Sequence, residues 1–137
     1  MTGQDIIRKT KELNLPKGSY IVFGSCPMAV ARIRESSDID MLVTDEVFES
    51  LATSGWKIVI KGPRDNPLAL GDFEAHNNWN FSSYSPTLEQ LLSTATVVEG
   101  VPFASLEEVR KWKAASGRPK DLVDIKLIDK YLEKQRI

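Results

Sequence analysis

The chain has 137 residues, enough for one domain with a buried core, and its 42% apolar and 27% charged residues are ordinary for a globular protein. A net charge of −1 gives no whole-molecule argument for binding to nucleic acid or to a membrane surface. The one cysteine, Cys26, excludes an intrachain disulfide, and the sequence contains neither a signal-peptide pattern nor an apolar run of bilayer length. We therefore expect a cytoplasmic protein with no membrane partner.

Hydrophobic periodicity and turn residues divide the first half of the chain into alternating helices and strands. In chain order, we expect a helix over residues 2–13, a strand over 20–23, a helix from 26 to about 34, a strand over 38–43 and a helix from 44 or 45 to Gly55. Pro27 suits the first position of its helix, and Gly55 suits a helix end.

The second half continues the mixture of strands and helices. It predicts a strand over 56–60, a loop over 61–67, a strand over 68–76 with a further segment at 79–81, a short helix from 85 or 86 to about 92 and a hairpin over 96–103. Two helices follow, and the last carries an inward stripe of Leu122, Ile125, Ile128 and Leu132. The whole pattern predicts one α+β domain over 1–137, with a mixed central sheet flanked by helices and a helical C-terminal segment at about 105–134.

Two carboxylates interrupt the apolar strand over 38–43. Asp38 and Asp40 are two residues apart, so a strand projects both from the same face. Like charges side by side on a sheet are destabilising unless another group offsets them. Carboxylate oxygens are preferred ligands of Mg²⁺, so the pair predicts a metal site.

A glycine and a serine stand at the preceding strand-to-helix junction. Gly24 allows close approach of the backbone, and Ser25 offers a hydroxyl donor, so the turn suits an anion such as phosphate. Twelve residues separate Ser25 from Asp38. This order resembles the signature of the polymerase-beta-like nucleotidyltransferase superfamily, in which a Gly-Ser turn is followed by Asp-x-Asp on the next strand.

The resemblance implies the nucleotidyltransferase fold and a metal site completed by a third carboxylate on a later strand. Leu70 to Ala75 is the suitable segment, with Glu74 as the first choice and Asp72 as the alternative that sequence does not separate from it. Asp38, Asp40 and Glu74 are then expected to be catalytic and to bind Mg²⁺, two ions by resemblance, with Mn²⁺ as an alternative. His76 is a weaker candidate for base or ligand.

A second resemblance covers the C-terminal segment, where Lys113 is followed by Arg118, Lys120 and Asp121. It is similar to small nucleotidyltransferases related to lincosamide nucleotidyltransferases and abortive-infection toxins. There, a lysine and an Arg-x-Lys-Asp turn lie near the nucleotide, which implies nucleotide-binding roles for these four residues beside Gly24 and Ser25. The alternative is a solvated helix surface, with Asp121 favouring the helix dipole.

The two resemblances imply an enzyme that moves a nucleoside monophosphate from a nucleoside triphosphate such as ATP to a hydroxyl acceptor. A non-catalytic nucleotide- or partner-binding module on the same fold is one alternative. An RNA-modifying toxin is another, since residues 110–137 carry nine Lys/Arg against four Asp/Glu. The acceptor, a small molecule or RNA, stays open, as does a homodimer. Arg32 and Arg34 are further candidates for a phosphate role, and Trp79 for an acceptor pocket.

Overall fold

A seven-stranded mixed sheet forms the centre of the computed structural model, which describes residues 1–62, 66–81 and 83–136. Its strand order is β3-β4-β5-β2-β1-β7-β6. The strands are β1 Tyr20–Phe23, β2 Ile39–Val43, β3 Lys57–Ile58, β4 Leu68–Leu70, β5 Phe73–His76, β6 Thr96–Val98 and β7 Val101–Phe103. β2 pairs parallel with β5 and β1 pairs parallel with β7, whereas the other neighbours are antiparallel.

Six helices in the described chain pack against this sheet: α1 Gly3–Leu13, α2 Cys26–Val30, α3 Asp45–Thr53, α4 Leu88–Ser93, α5 Leu106–Ser116 and α6 Pro119–Gln135. Side-chain caps by Thr2, Thr44 and Ser105 start three of them, and Gly117 at φ 66° ends α5. The expected α+β fold, with its mixed sheet and helical C-terminal segment, is confirmed.

Strand alternation divides the core between the two faces of the sheet. On β1, Tyr20 and Val22 pack toward α1 and α3, whereas Ile21 and Phe23 pack toward α4, α5 and α6. We call these the α1–α3 face and the α4–α6 face. On β2, Ile39, Met41 and Val43 belong to the α1–α3 face, so Asp40 projects from the α4–α6 face beside Leu42.

Three expected elements differ from the structure. The strand expected at 68–76 is two strands, because Gly71, at φ 57°, and Asp72 form a two-residue turn between Leu70 and Phe73. The segment at 79–81 forms only an isolated bridge between Phe81 and Tyr84. The helix after Pro27 ends at Val30 rather than near 34. The expected loop at 61–67 lies partly outside the described residues.

The inward face of α6 also differs from the expected apolar stripe. Ile128 is buried as predicted, but Leu122 is 53% exposed. Asp121 and Asp124 take the inward positions, because cationic partners on other segments meet them there. Among residues 1–62, 66–81 and 83–136, no helix has the length and apolar character needed to cross a bilayer.

Replacement of Phe23 by alanine tests the core of the α4–α6 face. The Phe23 ring is fully buried, stacks on Trp79 with centroids 4.7 Å apart and meets Trp112 edge-on at 5.7 Å. We expect Phe23→Ala to lower the free energy of unfolding by about 3–5 kcal/mol, measured by urea denaturation. Val97→Ala, at a side chain that is 63% exposed, is the control and should change it by less than about 0.5 kcal/mol.

Candidate active site

Parallel pairing of β2 with β5 brings two carboxylates and an imidazole together. Asp40 is in register with Glu74, and Leu42 with His76, so all three polar side chains leave the α4–α6 face. One ligand atom each from Asp40, Glu74 and His76 lie within 4.8 Å of one another. His76 Nε2 lies 3.7 Å from Asp40 Oδ1. The register therefore forms a cluster of the size and donor type that a divalent cation needs.

Asp38 lies at the edge of this cluster rather than inside it. β2 begins at Ile39, and Asp38 precedes it with an exposed side chain. Its carbonyl oxygen accepts hydrogen bonds from the Ser36 hydroxyl (2.9 Å) and the Cys26 thiol (3.1 Å). Burial, and then the charge of Asp40, raise the pKa of Cys26 to about 12, so the thiol stays a protonated donor at neutral pH. These two bonds fix the backbone that presents Asp38.

Gly24 allows the turn after β1 to approach Asp40. The residue has φ 64°, in the left-handed region, where a side chain is strained. A Cβ built there would collide with Asp40 Oδ2 and would lie 3.0 Å from Asp40 Cβ. Ser25, the next residue, stands at the start of α2 but makes no side-chain cap hydrogen bond. Glycine thus permits the close approach of this turn to Asp40, and Ser25 lines the same cavity as the carboxylates.

The two candidates for the third carboxylate occupy different places. Glu74 is in β5 beside Asp40 and forms an ion pair with Lys61. Asp72 lies in the β4–β5 turn, and its carboxylate accepts a hydrogen bond from Lys9 of α1 at 2.6 Å. Residues two apart in one continuous strand would share a face, but the turn removes Asp72 from the strand alternation. Glu74 is the one beside Asp40.

A cavity of about 390 Å³ opens above this cluster. Its walls carry carboxylates, cations, hydroxyls and aromatic rings, namely Asp38, Asp40, Glu74, Asp124, Arg34, Lys61, Lys113, Arg118, Lys120, Ser25, Ser36, Ser37, His76, Trp79, Phe81 and Trp112. The aromatic wall is continuous, since Trp79 packs against His76 at 4.8 Å, Trp112 at 5.2 Å and Phe81 at 5.8 Å between ring centroids. The cavity therefore joins the sheet cluster to the C-terminal helices.

At the cavity wall, Asp124 of α6 joins two cations. Its carboxylate accepts two bonds from Arg34, from Nε at 2.9 Å and Nη2 at 2.7 Å, and Lys113 Nζ lies 2.8 Å away. The Lys113 side chain is only 2% exposed and lies over the Trp112 ring at 4.6 Å. Both cations also reach Ser25 Oγ, Arg34 at 2.9 Å and Lys113 at 3.3 Å. This cluster links α5 and α6 to the turn after β1.

The Arg-x-Lys-Asp turn forms the start of α6. Arg118 donates to Asp121 from Nε at 2.7 Å and Nη2 at 3.0 Å, and its guanidinium stays half-exposed at the cavity. Asp121 is fully buried and also lies 3.7 Å from Lys113. Lys120 is exposed on the cavity wall. Asp121 thus holds cations in place without itself lining the cavity.

The two acids of α6 are held ionised by these partners. Burial favours the neutral form of Asp124, but hydrogen bonds from Arg34 and Lys113 outweigh it, and the pKa of Asp124 falls below its ordinary value. Burial and the Arg118 hydrogen bonds oppose each other in the same way at Asp121, and its pKa is also lowered. Both carboxylates therefore remain charged at neutral pH.

Sequence reasoning placed Asp40, Glu74 and Ser25 at one site and missed several of their neighbours. Arg34 was only a general candidate for phosphate, and Asp124 was assigned no role. Lys61 was read as part of a loop. One feature of the sequence does point to Asp124. It lies three residues after Asp121, so a helix places both acids on the same face.

Comparison with known proteins identifies the fold. No protein-family model matches the chain, and no curated protein sequence matches it. A crystal structure of the aminoglycoside nucleotidyltransferase ANT(2″)-Ia in complex with adenylyl-2″-tobramycin has a TM-score of 0.55 and 16% identity, over 96% of this chain and 87% of that chain. A solution structure of the antibiotic-resistance factor ANT(2″)-Ia has a TM-score of 0.54 and 18% identity, over 94% and 81%.

These similarities confirm the expected nucleotidyltransferase fold, which the chain shares with ANT(2″)-Ia. At 16–18% identity they concern the fold alone. The finer resemblance to lincosamide nucleotidyltransferases and abortive-infection toxins stays a prediction.

Replacement of Gly24 by alanine tests the close approach to Asp40. A matched control exists in Gly18, whose φ of 80° carries the same strain but whose added Cβ would meet nothing within 4 Å. Both variants should lose about 1 kcal/mol of unfolding free energy. Only Gly24→Ala displaces the Asp40 carboxylate, so we expect it to weaken Mn²⁺ binding, followed by electron paramagnetic resonance, by about tenfold or more. Equal Mn²⁺ affinities in the two variants would contradict this geometry.

Replacement of Asp124 by asparagine tests the buried cluster. Folding lowers the pKa of Asp124, so its ionised carboxylate stabilises the folded protein. This contribution to the free energy of unfolding is full above the ordinary pKa of 3.8 and is lost as the pH falls through the lower pKa of the folded state. At pH 7, Asp124→Asn leaves Lys113 under-compensated in the interior, and we expect a loss of about 3 kcal/mol in urea denaturation. When the pH is lowered from 5 to 3, the free energy of unfolding should fall by a smaller amount in the variant than in the original protein.

Asp129→Asn provides the control for this experiment. Asp129 accepts a similar fork from Arg110, but its side chain is 49% exposed. We expect a change below about 1 kcal/mol at pH 7. Indistinguishable pH profiles for the Asp124 variant and the original protein would show that the cluster does not contribute as described.

Proposed function

We propose that this chain is a metal-dependent nucleotidyltransferase that moves a nucleoside monophosphate from a nucleoside triphosphate to a hydroxyl acceptor and releases pyrophosphate. The observation that carries the proposal is the in-register pair Asp40 and Glu74, with Asp38 and Ser25 lining the same cavity. The fold shared with ANT(2″)-Ia supports it.

Asp38, Asp40 and Glu74 are the residues proposed to hold Mg²⁺, with two ions expected and Mn²⁺ as an alternative. The donor set fits, since carboxylate oxygens suit both metals and the ligand atoms of Asp40, Glu74 and His76 converge within 4.8 Å. When bound, such ions neutralise phosphate charge and lower the pKa of an attacking hydroxyl. Glu74 also forms an ion pair with Lys61.

The proposed reaction is an in-line displacement at the α-phosphorus. The acceptor oxygen forms a bond to the α-phosphorus while the bond from that phosphorus to the bridging β-phosphate oxygen breaks. The electron pair of the broken bond leaves with pyrophosphate, and the acceptor hydroxyl gives its proton to a base. Glu74 is the proposed base, because its carboxylate stands beside Asp40 at the floor of the cavity.

The phosphate groups are proposed to lie between the turn after β1 and the start of α6. Gly24 gives the backbone close approach, and Ser25 supplies a hydroxyl donor. Arg118 and Lys120 present cationic groups to the same cavity, with Asp121 orienting the Arg118 guanidinium. Lys113 adds a further positive charge to the cavity lining.

The acceptor is proposed to be a hydroxyl-bearing small molecule. The structural relative is seen in complex with adenylyl-2″-tobramycin, so an aminoglycoside is the first acceptor to test. Trp79, Phe81 and Trp112 form the aromatic side of the cavity and are the proposed contacts for an acceptor ring.

Removal of the carboxylates tests the proposed activity. Pyrophosphate release is measured with Mg²⁺, each of the four nucleoside triphosphates and a panel of acceptors that includes an aminoglycoside, simple sugars and a short RNA. We expect Asp40→Asn, Asp38→Asn and Glu74→Gln each to lower turnover by about a hundredfold or more, because each removes an anionic ligand proposed to hold the metal ions that stabilise the transition state. Asp72→Asn, at the carboxylate outside the site, should change turnover by less than about twofold.

Two results would contradict the proposal. One is turnover that persists in Asp40→Asn with unchanged Mg²⁺ dependence. The other is nucleotide binding, measured by calorimetry, without pyrophosphate release for any acceptor, which would favour a binding module on the same fold.

A further inference from the structure

Ser25 lies where two cations meet. Its Oγ accepts a hydrogen bond from Arg34 Nη2 at 2.9 Å and another from Lys113 Nζ at 3.3 Å. It makes no cap bond to α2. The hydroxyl also lines the cavity that holds the carboxylate cluster.

These contacts restrict what the hydroxyl can do. A serine hydroxyl has two acceptor lone pairs and one proton to donate. Cationic donors that are themselves fixed fill both acceptor positions, so the hydroxyl is left to act as a donor. Two adjacent positive charges also polarise the O–H bond toward donation. An acceptor inside the cavity, above all an anionic oxygen, is the partner that this arrangement suits.

Arg34 uses most of its hydrogen-bond donors within the protein. Four hydrogen bonds use its donors: Nε and Nη2 to Asp124, Nη2 to Ser25 and Nη1 to the carbonyl oxygen of Glu35 at 2.7 Å. A guanidinium has five N–H donors, so Arg34 has little left for a ligand. Its geometry fits the positioning of Ser25 better than direct contact with phosphate.

Asp124 holds both cations in these places. Its carboxylate accepts hydrogen bonds from Arg34 Nε and Nη2 and pairs with the Lys113 ammonium. The Asp124 side chain is only 7% exposed. Lys113, buried beside it, also reaches Ser25 Oγ, at 3.3 Å. The orientation of the Ser25 hydroxyl therefore depends on a carboxylate 99 residues further along the chain.

We propose that Arg34, Lys113 and Asp124 are positioning residues that make Ser25 an obligate hydrogen-bond donor to the polyphosphate of the substrate. This inference rests on the proposed function for the identity of the ligand. It assigns Lys113 a role that acts through Ser25, and it gives Arg34 and Asp124 roles that the resemblance does not supply.

A double-mutant cycle between Ser25 and Arg34 tests the proposal. The probe is inorganic tripolyphosphate with Mg²⁺, which reports on phosphate contacts without a base or an acceptor. The variants are Ser25→Ala, Arg34→Gln and the double variant, with affinity measured by calorimetry. Arg110→Gln is the matched control, because Arg110 forms a similar fork with Asp129 of the same helix α6 away from the cavity.

We expect Ser25→Ala to weaken tripolyphosphate binding about tenfold, the effect of losing one hydrogen bond to a charged group. Arg34→Gln should weaken it about fivefold, and the double variant should match Ser25→Ala within about twofold, because the arginine acts through the serine. Arg110→Gln should leave the affinity unchanged. Additive losses, or no binding of tripolyphosphate by the original protein, would overturn the proposal.

Arg34→Lys distinguishes a positioning role of Arg34 from a purely electrostatic one. It also replaces Arg34→Gln in the test if that variant folds poorly. Lysine keeps the positive charge but lacks the fork that engages Asp124 and Ser25 together. We expect Arg34→Lys to remain weakened by at least about threefold, whereas full recovery would show that Arg34 supplies only charge. Folding of each variant is checked by urea denaturation.

The same variants distinguish this inference from the proposed function. Coupled losses of tripolyphosphate affinity without pyrophosphate release would support the positioning cluster and contradict catalysis. Normal pyrophosphate release with additive losses would support catalysis and contradict the positioning role.

Discussion

The parallel register of β2 and β5 is the constraint on which the site depends. The register sets Asp40 beside Glu74 and Leu42 beside His76. The side chains of Asp40, Glu74 and His76 therefore leave the sheet on the same face. A shift by one residue would turn every side chain of β5 to the other face, which places Glu74 in the apolar core of α1 and α3. Buried Phe73 and Ala75 on that other face oppose such a shift, so the hydrophobic core itself fixes the carboxylates.

Local patterns were sufficient for the fold class and for half of the site. The Gly-Ser turn and the Asp-x-Asp strand lie within one supersecondary unit, so their spacing along the chain carries their relation in space. The choice between Asp72 and Glu74 was not readable, because it depends on a two-residue turn inside a segment with continuous strand character. The hydrophobicity of Leu122 predicts that it faces the core, but the inward face of α6 holds Asp121 and Asp124, both paired with cations.

The rest of the site could not be read because it consists of contacts between distant segments. Arg34 and Asp124 are each unremarkable surface residue types in their own surroundings, and only the docking of α6 brings them together. Buried ion pairs contribute little net stability compared with apolar packing, since desolvation offsets much of their attraction. Net stability alone therefore gives little reason for this cluster, whereas the positioning of Ser25 that we propose supplies one.

The separation of Arg34 from Asp124 by 90 residues also bears on the order in which the site assembles. Asp40 and Glu74 come from strands that are complete once residue 76 has been synthesised, and their pairing needs no later segment. Ser25 acquires its Lys113 partner, and Arg34 its Asp124 partner, only after α5 and α6 have formed and docked. Since distant contacts form late and slowly, a growing chain would have its carboxylates in place well before its serine is oriented. The proposed polyphosphate site is thus the last part of the candidate site to be completed.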